Sequence, residues 1–116
     1  MSVAPQTLAF TIQAGDYLSN GGVGIAIPGE VLGFSIPADW TAANLSFQTS
    51  INNGPYVELY RENNPYILFV QPSSYSAENK SYWAGVTLLI IRSGTSAVPV
   101  PQTDTVTVLV SYLPNS

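Results

Sequence analysis

A chain of 116 residues is long enough for one domain with its own core, and without cysteine or histidine it has no disulfides and no thiolate or imidazole ligand for zinc or copper. The formal net charge is −4 with three basic residues, which excludes the broad positive surface that direct nucleic-acid binding requires. Charged residues make up only 9% of the chain, against about 25% in ordinary soluble proteins, so uncharged polar side chains must form most of the solvated surface.

The N-terminal segment is predicted to be an arm outside the domain. Residues 1–7, which include Val3 and Pro5, are expected to be flexible, and a single domain is expected over residues 8–116. The segment lacks the charged and apolar regions of a secretory signal, and no apolar run approaches the ~20 residues that span a bilayer. Synthesis in the cytosol and no membrane partner are therefore expected.

Alternating apolar positions predict the first strands. Residues 8–13 place apolar side chains at every second position, which indicates a strand. Residues 19–22 are rich in glycine and predict a turn with positive φ angles. Residues 23–27 and 31–36 alternate on either side of a Pro-Gly-Glu turn and are expected to form a hairpin.

The stretch of residues 34–50 predicts two strands joined by a corner. Apolar and polar residues alternate in both halves, so each half has one face for the core. Between them Pro37 cannot donate a ladder hydrogen bond, and Asp39 is suited to accept bonds from nearby backbone N–H groups. Trp40 is expected to close the end of the core at this corner.

A second hairpin and a long loop are predicted next. Residues 56–60 and 66–70 flank a polar turn and are expected to pair. Residues 71–81 are polar and aperiodic, and are predicted to be the longest loop of the domain.

The last two strands complete an all-β fold. Residues 86–92 are the most hydrophobic segment, and residues 105–112 place valines at every second position. With about eight short strands, turn signals at intervals of about 8–12 residues and no convincing helix, the sequence predicts an antiparallel β-sandwich that is jelly-roll-like.

Two stretches, residues 66–70 and 86–91, are apolar on both faces. Because a strand of a lone sandwich has one face in water, leaving these side chains exposed would forfeit on the order of 1.5–3 kcal/mol each relative to burial. Alternatively, the loop of residues 71–81 covers this face, or a central strand lies under crossing segments. The favoured interpretation is a subunit interface formed by Ile67, Phe69, Leu89 and Ile91.

The sequence offers little for catalysis, and neither enzymatic activity nor a cofactor is expected. Ser93 precedes a glycine but lacks a nucleophile elbow and a histidine partner. Glu58 and Glu62 are the best carboxylate pair for glycoside hydrolysis, yet single charges at a strand end and in a turn are far more often solvated. The three aspartates stand apart in the sequence and do not form a calcium motif.

The aromatic residues allow a sugar-binding interpretation, because tyrosine and tryptophan rings can line a glycan site on a β-sandwich. Trp40 and Trp83 are the largest candidates. The alternative is that the tryptophans close the ends of the core and the tyrosines line a protein interface.

Three segments together resemble a known family. Residues 36–50 read Ile-Pro-Ala-Asp-Trp-Thr-Ala-Ala-Asn-Leu-Ser-Phe-Gln-Thr-Ser, residues 56–60 read Tyr-Val-Glu-Leu-Tyr, and residues 90–95 read Ile-Ile-Arg-Ser-Gly-Thr ahead of a Pro-Val-Pro-Gln segment. A proline–tryptophan–threonine corner before a Leu-x-Phe-Gln-x-Ser strand, with an Arg-Ser-Gly-Thr turn before the last strand, resembles small virion proteins of tailed bacteriophages. The resemblance covers roughly residues 34–113 and departs from the family in the longer region of residues 66–83.

The resemblance implies a structural part of the phage particle, such as a head decoration or cement protein. Such a protein is made in the bacterial cytoplasm and sits on the capsid surface as an oligomer, with a trimer favoured, where it binds the phage major capsid protein. It stabilises the shell because it binds the assembled lattice and not its separated parts. Val3 and Pro5 are the candidate capsid-attachment residues. The rival hypothesis is a carbohydrate- or receptor-binding module of a phage tail.

Overall fold

Two antiparallel sheets face each other across one core. The computed structural model describes residues 4–50, 54–83 and 85–115. In chain order the strands of this part are β1 Gln6–Ile12, β2 Ile25–Ala26, β3 Gly29–Ile36, β4 Leu45–Thr49, β5 Val57–Glu58, β6 Tyr60–Arg61, β7 Asn64–Pro65, β8 Ser74–Ala77, β9 Leu88–Ser93 and β10 Val106–Pro114. Two short 3₁₀ turns lie between strands: Ser19–Gly22 between β1 and β2, and Lys80–Trp83 between β8 and β9.

The strands form two sheets of four and one small hairpin. The first sheet has the order β1-β10-β3-β8 and the second sheet the order β2-β9-β4-β5, while β6 pairs only with β7. All of these pairings are antiparallel. The predicted all-β antiparallel sandwich is therefore confirmed.

The core lies between the inner faces of the two sheets. In β10 the inward positions are all buried, as the alternation of valines predicted. Phe34 of the first sheet and Phe47 of the second sheet meet with ring centroids 5.3 Å apart. Contacts of this kind hold the sheets together, because each buries apolar surface that neither sheet can bury alone.

The corner after β3 is closed by backbone and tryptophan contacts. The N–H of Trp40 donates to the carbonyl of Pro37 at 3.4 Å, and the indole Nε1 donates to the carbonyl of Ala43 at 3.1 Å. Trp40 is only 4% exposed and belongs to the core, as predicted. Asp39, in contrast, is exposed and bonds none of the described residues, so its expected backbone-bonding role is not seen.

The predicted hairpin between residues 23–27 and 31–36 is wrong. β2 lies in the second sheet, where Ile25 pairs with Leu89, and the N–H of Ile27 donates to the carbonyl of Thr87 at 2.9 Å. β3 pairs instead with β10 and β8 in the first sheet. The Pro-Gly turn thus carries the chain from one sheet to the other, which a local turn signal cannot distinguish from a hairpin.

The region expected to be the longest loop contains an edge strand. β8 pairs with β3, with Tyr75 opposite Ser35 and Ala77 opposite Gly33. The hairpin before it is tighter than predicted, because β6 and β7 meet across Glu62 and Asn63, which have φ angles of 53° and 69°. The first strand also begins earlier than expected, at Gln6.

Candidate functional site

Two of the residues predicted for a subunit interface lie in the core instead. Leu89 and Ile91 are both 0% exposed and belong to the core cluster. Their predicted exposure is wrong because β9 is an inner strand, between β2 and β4, whose odd-numbered apolar residues face the other sheet. Of the two apolar residues on the opposite face, Ile90 is only 2% exposed and Leu88 is half-buried.

Groups of the chain itself occupy the outer face of β9. Arg92 is 4% exposed, and its guanidinium donates to both carboxylate oxygens of Glu58, at 2.9 and 2.8 Å, and to the hydroxyl of Ser46 at 3.1 Å. The N–H of Gly24, beside β2, donates to the hydroxyl of Tyr56, beside β5, at 3.1 Å. Since β2 and β5 are opposite edges of this sheet, the Tyr56 side chain reaches across to the far edge. This matches the alternative of a central strand under crossing segments.

The other two predicted interface residues lie on the surface. Ile67 is half-buried and Phe69 is 80% exposed, while Tyr66, Leu68 and Val70 face the core. The backbone of Leu68 exchanges two hydrogen bonds of 2.9 Å with that of Leu45, so the stretch lies along the edge of the second sheet. Phe69 is the most exposed large apolar side chain of the residues described here.

A groove separates this stretch from the edge of the first sheet. Its volume is about 490 Å³. One wall is formed by Ile67 and Phe69, and the other by Ala77 and Glu78 at the end of β8, with Arg61 also in the lining. The groove therefore lies where the open edges of the two sheets approach each other.

Among the described residues, Arg61 is positioned in this groove by two aromatic rings. Its Cζ atom lies 4.4 Å from the ring centroid of Tyr82 and 5.1 Å from that of Tyr66. The guanidinium makes no hydrogen bond or ion pair with any residue in the described ranges, in contrast to Arg92. Stacking on aromatic faces orients a guanidinium while its in-plane N–H donors stay available, so Arg61 is prepared to bind a planar anion.

The carboxylate of Glu78, in the wall of the groove, is bonded to residues of the core. Glu78 accepts hydrogen bonds from the hydroxyl of Tyr66, from Ser76 Oγ at 3.2 Å and from the indole of Trp83 at 3.4 Å. Burial, and then the hydrogen bond to Glu78, raise the pKa of Tyr66 well above its usual range. Tyr66 therefore stays a neutral donor, and Glu78 is already engaged by three partners.

Trp83 cannot serve as a sugar platform, because it is 3% exposed. Its ring packs against those of Phe34 and Phe47, at centroid distances of 5.3 and 5.0 Å. Both tryptophans thus belong to the core, in agreement with the alternative stated from the sequence.

The residues considered for catalysis are not brought together. Glu58 is bound to Arg92, whereas Glu62 is exposed in the turn between β6 and β7. Ser93 is buried and accepts a hydrogen bond from Gln102 Nε2 at 2.8 Å. Within the described ranges no three histidine, cysteine, aspartate or glutamate residues are placed to hold a metal ion.

The two candidate attachment residues of the N-terminal arm lie at or before the start of the described residues. Val3 lies outside the described residues, and Pro5 is exposed ahead of β1.

No helix in the described part of the chain is both long and apolar enough to cross a membrane. Comparisons of the chain with protein-family models, with curated proteins and with solved structures find no match. The candidate site is therefore chosen on geometry alone: it is the surface around exposed Phe69 and ring-stacked Arg61.

Proposed function

We propose that this chain is a non-enzymatic structural protein of a tailed-phage particle, a capsid decoration protein that associates with its own copies. The observation that carries the association is the 80% exposure of Phe69 beside half-buried Ile67. Covering an exposed phenylalanine and a neighbouring apolar side chain with a partner surface is favourable, because it removes apolar area from water. The phage assignment is supported by the corner and turn motifs of the sequence.

The order of the strands supports the same class of protein. Without the β6-β7 hairpin eight strands remain, and their order along the sheets is 1-8-3-6 and 2-7-4-5. This order favours a jelly-roll topology, which recurs in viral capsid and lectin domains. Since one fold serves many functions, the strand order supports the class, and the Phe69 surface supports the self-association.

Low surface charge favours assembly as well. Of the three basic residues, Arg92 is buried against Glu58, so its charge is absent from the surface. Copies that meet through a surface with few charges lose little solvation free energy on contact. As a trimer on the major capsid protein, with Val3 and Pro5 at the shell, the protein would stabilise the assembled lattice by binding it selectively.

The experiment is sedimentation of the purified chain over a range of concentrations. We expect an oligomer that Phe69→Asn converts to monomers, because the substitution removes the exposed ring without changing the net charge. Val23→Asn is the matched control, since Val23 is 66% exposed in a different part of the surface. A wild type that remains monomeric at the highest concentration, or equal effects of the two substitutions, would contradict the proposal.

A further inference from the structure

β8 leaves one backbone edge open. The N–H of Glu78 donates to the carbonyl of Leu32 in β3 at 2.8 Å. Because successive residues of an antiparallel strand point their backbone groups to opposite sides, the groups of Tyr75 and Ala77 point away from β3. No further strand follows β8 in the first sheet of the described chain. An added strand could therefore pair with Tyr75 and Ala77.

The open edge borders the groove that contains Arg61. Ala77 and Arg61 both line this groove, with Phe69 in the facing wall. An incoming strand would find the backbone groups of β8, the apolar surface of Phe69, and the Arg61 guanidinium, which has no ion pair among the described residues. Strand addition of this kind takes its affinity from main-chain hydrogen bonds and its specificity from pockets for alternate side chains.

We propose that the groove binds an extended peptide segment that adds to the edge of β8 and places a carboxylate on Arg61. The charge of Arg61 selects the ligand group, because its guanidinium makes no ion pair with a described residue, Glu78 being bonded to other side chains, and because its flat fork matches a carboxylate. The open strand edge decides the form of the ligand, because a sugar cannot continue a backbone ladder. The inference goes beyond the proposed function, since a single copy presents the whole groove, and a peptide and a second copy would compete for Phe69.

The test is an NMR titration of the ¹⁵N-labelled full chain with a blocked peptide, acetyl-Val-Thr-Glu-Thr-Val-amide. In this peptide the glutamate and both valines share one face of the strand. We expect shifts at the amides of Tyr75 and Ala77, and binding at least about tenfold tighter than that of the peptide with glutamine in place of glutamate. Arg61→Gln should remove this difference and leave the binding of the glutamine peptide nearly unchanged.

A pair of proline substitutions tests the strand edge. Ala77→Pro removes an N–H that points into the groove and should abolish binding. Ala9→Pro is the control on the opposite edge of the same sheet, where the N–H of Thr11 donates outward to Asn20 Oδ1, so that the N–H of Ala9 also points outward. It should leave binding intact. Thermal unfolding of each variant verifies that the domain is folded.

The outcomes separate this inference from its alternatives. Equal affinities of the two peptides, or full binding by the folded Ala77→Pro variant, would overturn it. Binding of N-acetylneuraminic acid without binding of either peptide would also overturn it and would assign the groove to acidic sugars. Sedimentation without peptide reports self-association independently, so failure of the groove and failure of the proposed oligomer remain distinguishable.

Discussion

Residues 66–70 and the strand β9 have the same two-sided apolar pattern in the sequence but differ in how far the structure buries them. β9 lies between two neighbouring strands, and both of its faces are covered within the chain. Residues 66–70 lie along a sheet edge, where Tyr66 and Leu68 face the core and Phe69 remains outside. A two-sided apolar pattern therefore signals that a stretch needs cover, while its position in the sheet decides whether the chain itself provides that cover.

The largest expected effect contrasts Leu89 with Phe69. Leu89→Ala leaves a cavity in the core and should lower the free energy of unfolding by about 4 kcal/mol. Phe69→Ala should change it by less than about 0.5 kcal/mol, because the ring is mostly in water. Urea denaturation at low protein concentration, where oligomers are absent, measures both. Equal losses would mean that the two stretches do not differ in the way described.

The second prediction concerns the ion pair on the outer face of β9. Arg92→Met leaves the Glu58 carboxylate without its partner and should destabilise the domain by about 3 kcal/mol, at the lower end for a broken buried pair. The lower end applies because the Glu58 side chain keeps 17% of its surface in water. The double substitution Arg92→Met with Glu58→Leu should recover most of the loss in the same denaturation experiment. Arg61→Met, which breaks no ion pair among the described residues, should change the stability far less.

The third prediction uses pH to test how residues 66–70 are anchored. Burial raises the pKa of Tyr66 in the folded chain, so above pH 10 the unfolded chain releases a proton that the folded chain retains. The unfolded state then binds fewer protons, and the free energy of unfolding falls as the pH rises, by at most about 1.4 kcal/mol per pH unit for this group. Tyr66→Phe should flatten the profile between pH 10 and 12 relative to the wild type. Parallel profiles for the two proteins would show that Tyr66 ionises equally in both states.

Local pattern predicted the parts of the fold that depend on local chemistry. The alternating valines of β10 identified its inner face, and the corner with Pro37 and Trp40 was located correctly. The partner of β2 was not predictable, because β9, with which it pairs in the second sheet, is distant in the sequence. β8 was missed because its sequence, Ser-Tyr-Ser-Ala, is short and has the polar character of a loop.

The candidate site was predicted only in part, for a related reason. Phe69 and Ile67 were identified because excess apolar surface is visible in the sequence. Arg61 was missed, because the absence of an anionic partner is a property of the whole fold. Glu58 lies three positions before Arg61, yet it binds Arg92 on a different strand, and no local signal distinguishes the two arginines.

The place of β10 in the first sheet bears on how the chain folds as it is made. This strand lies between β1 and β3 and pairs with both, so that Thr11 and Thr107, 96 residues apart, share a hydrogen bond. β1 can therefore pair only after β10 has been made, and such long-range pairing is slow to form. We expect the first sheet to form only once β10 has been made, with the edges of β1 and β3 open to aggregation until then.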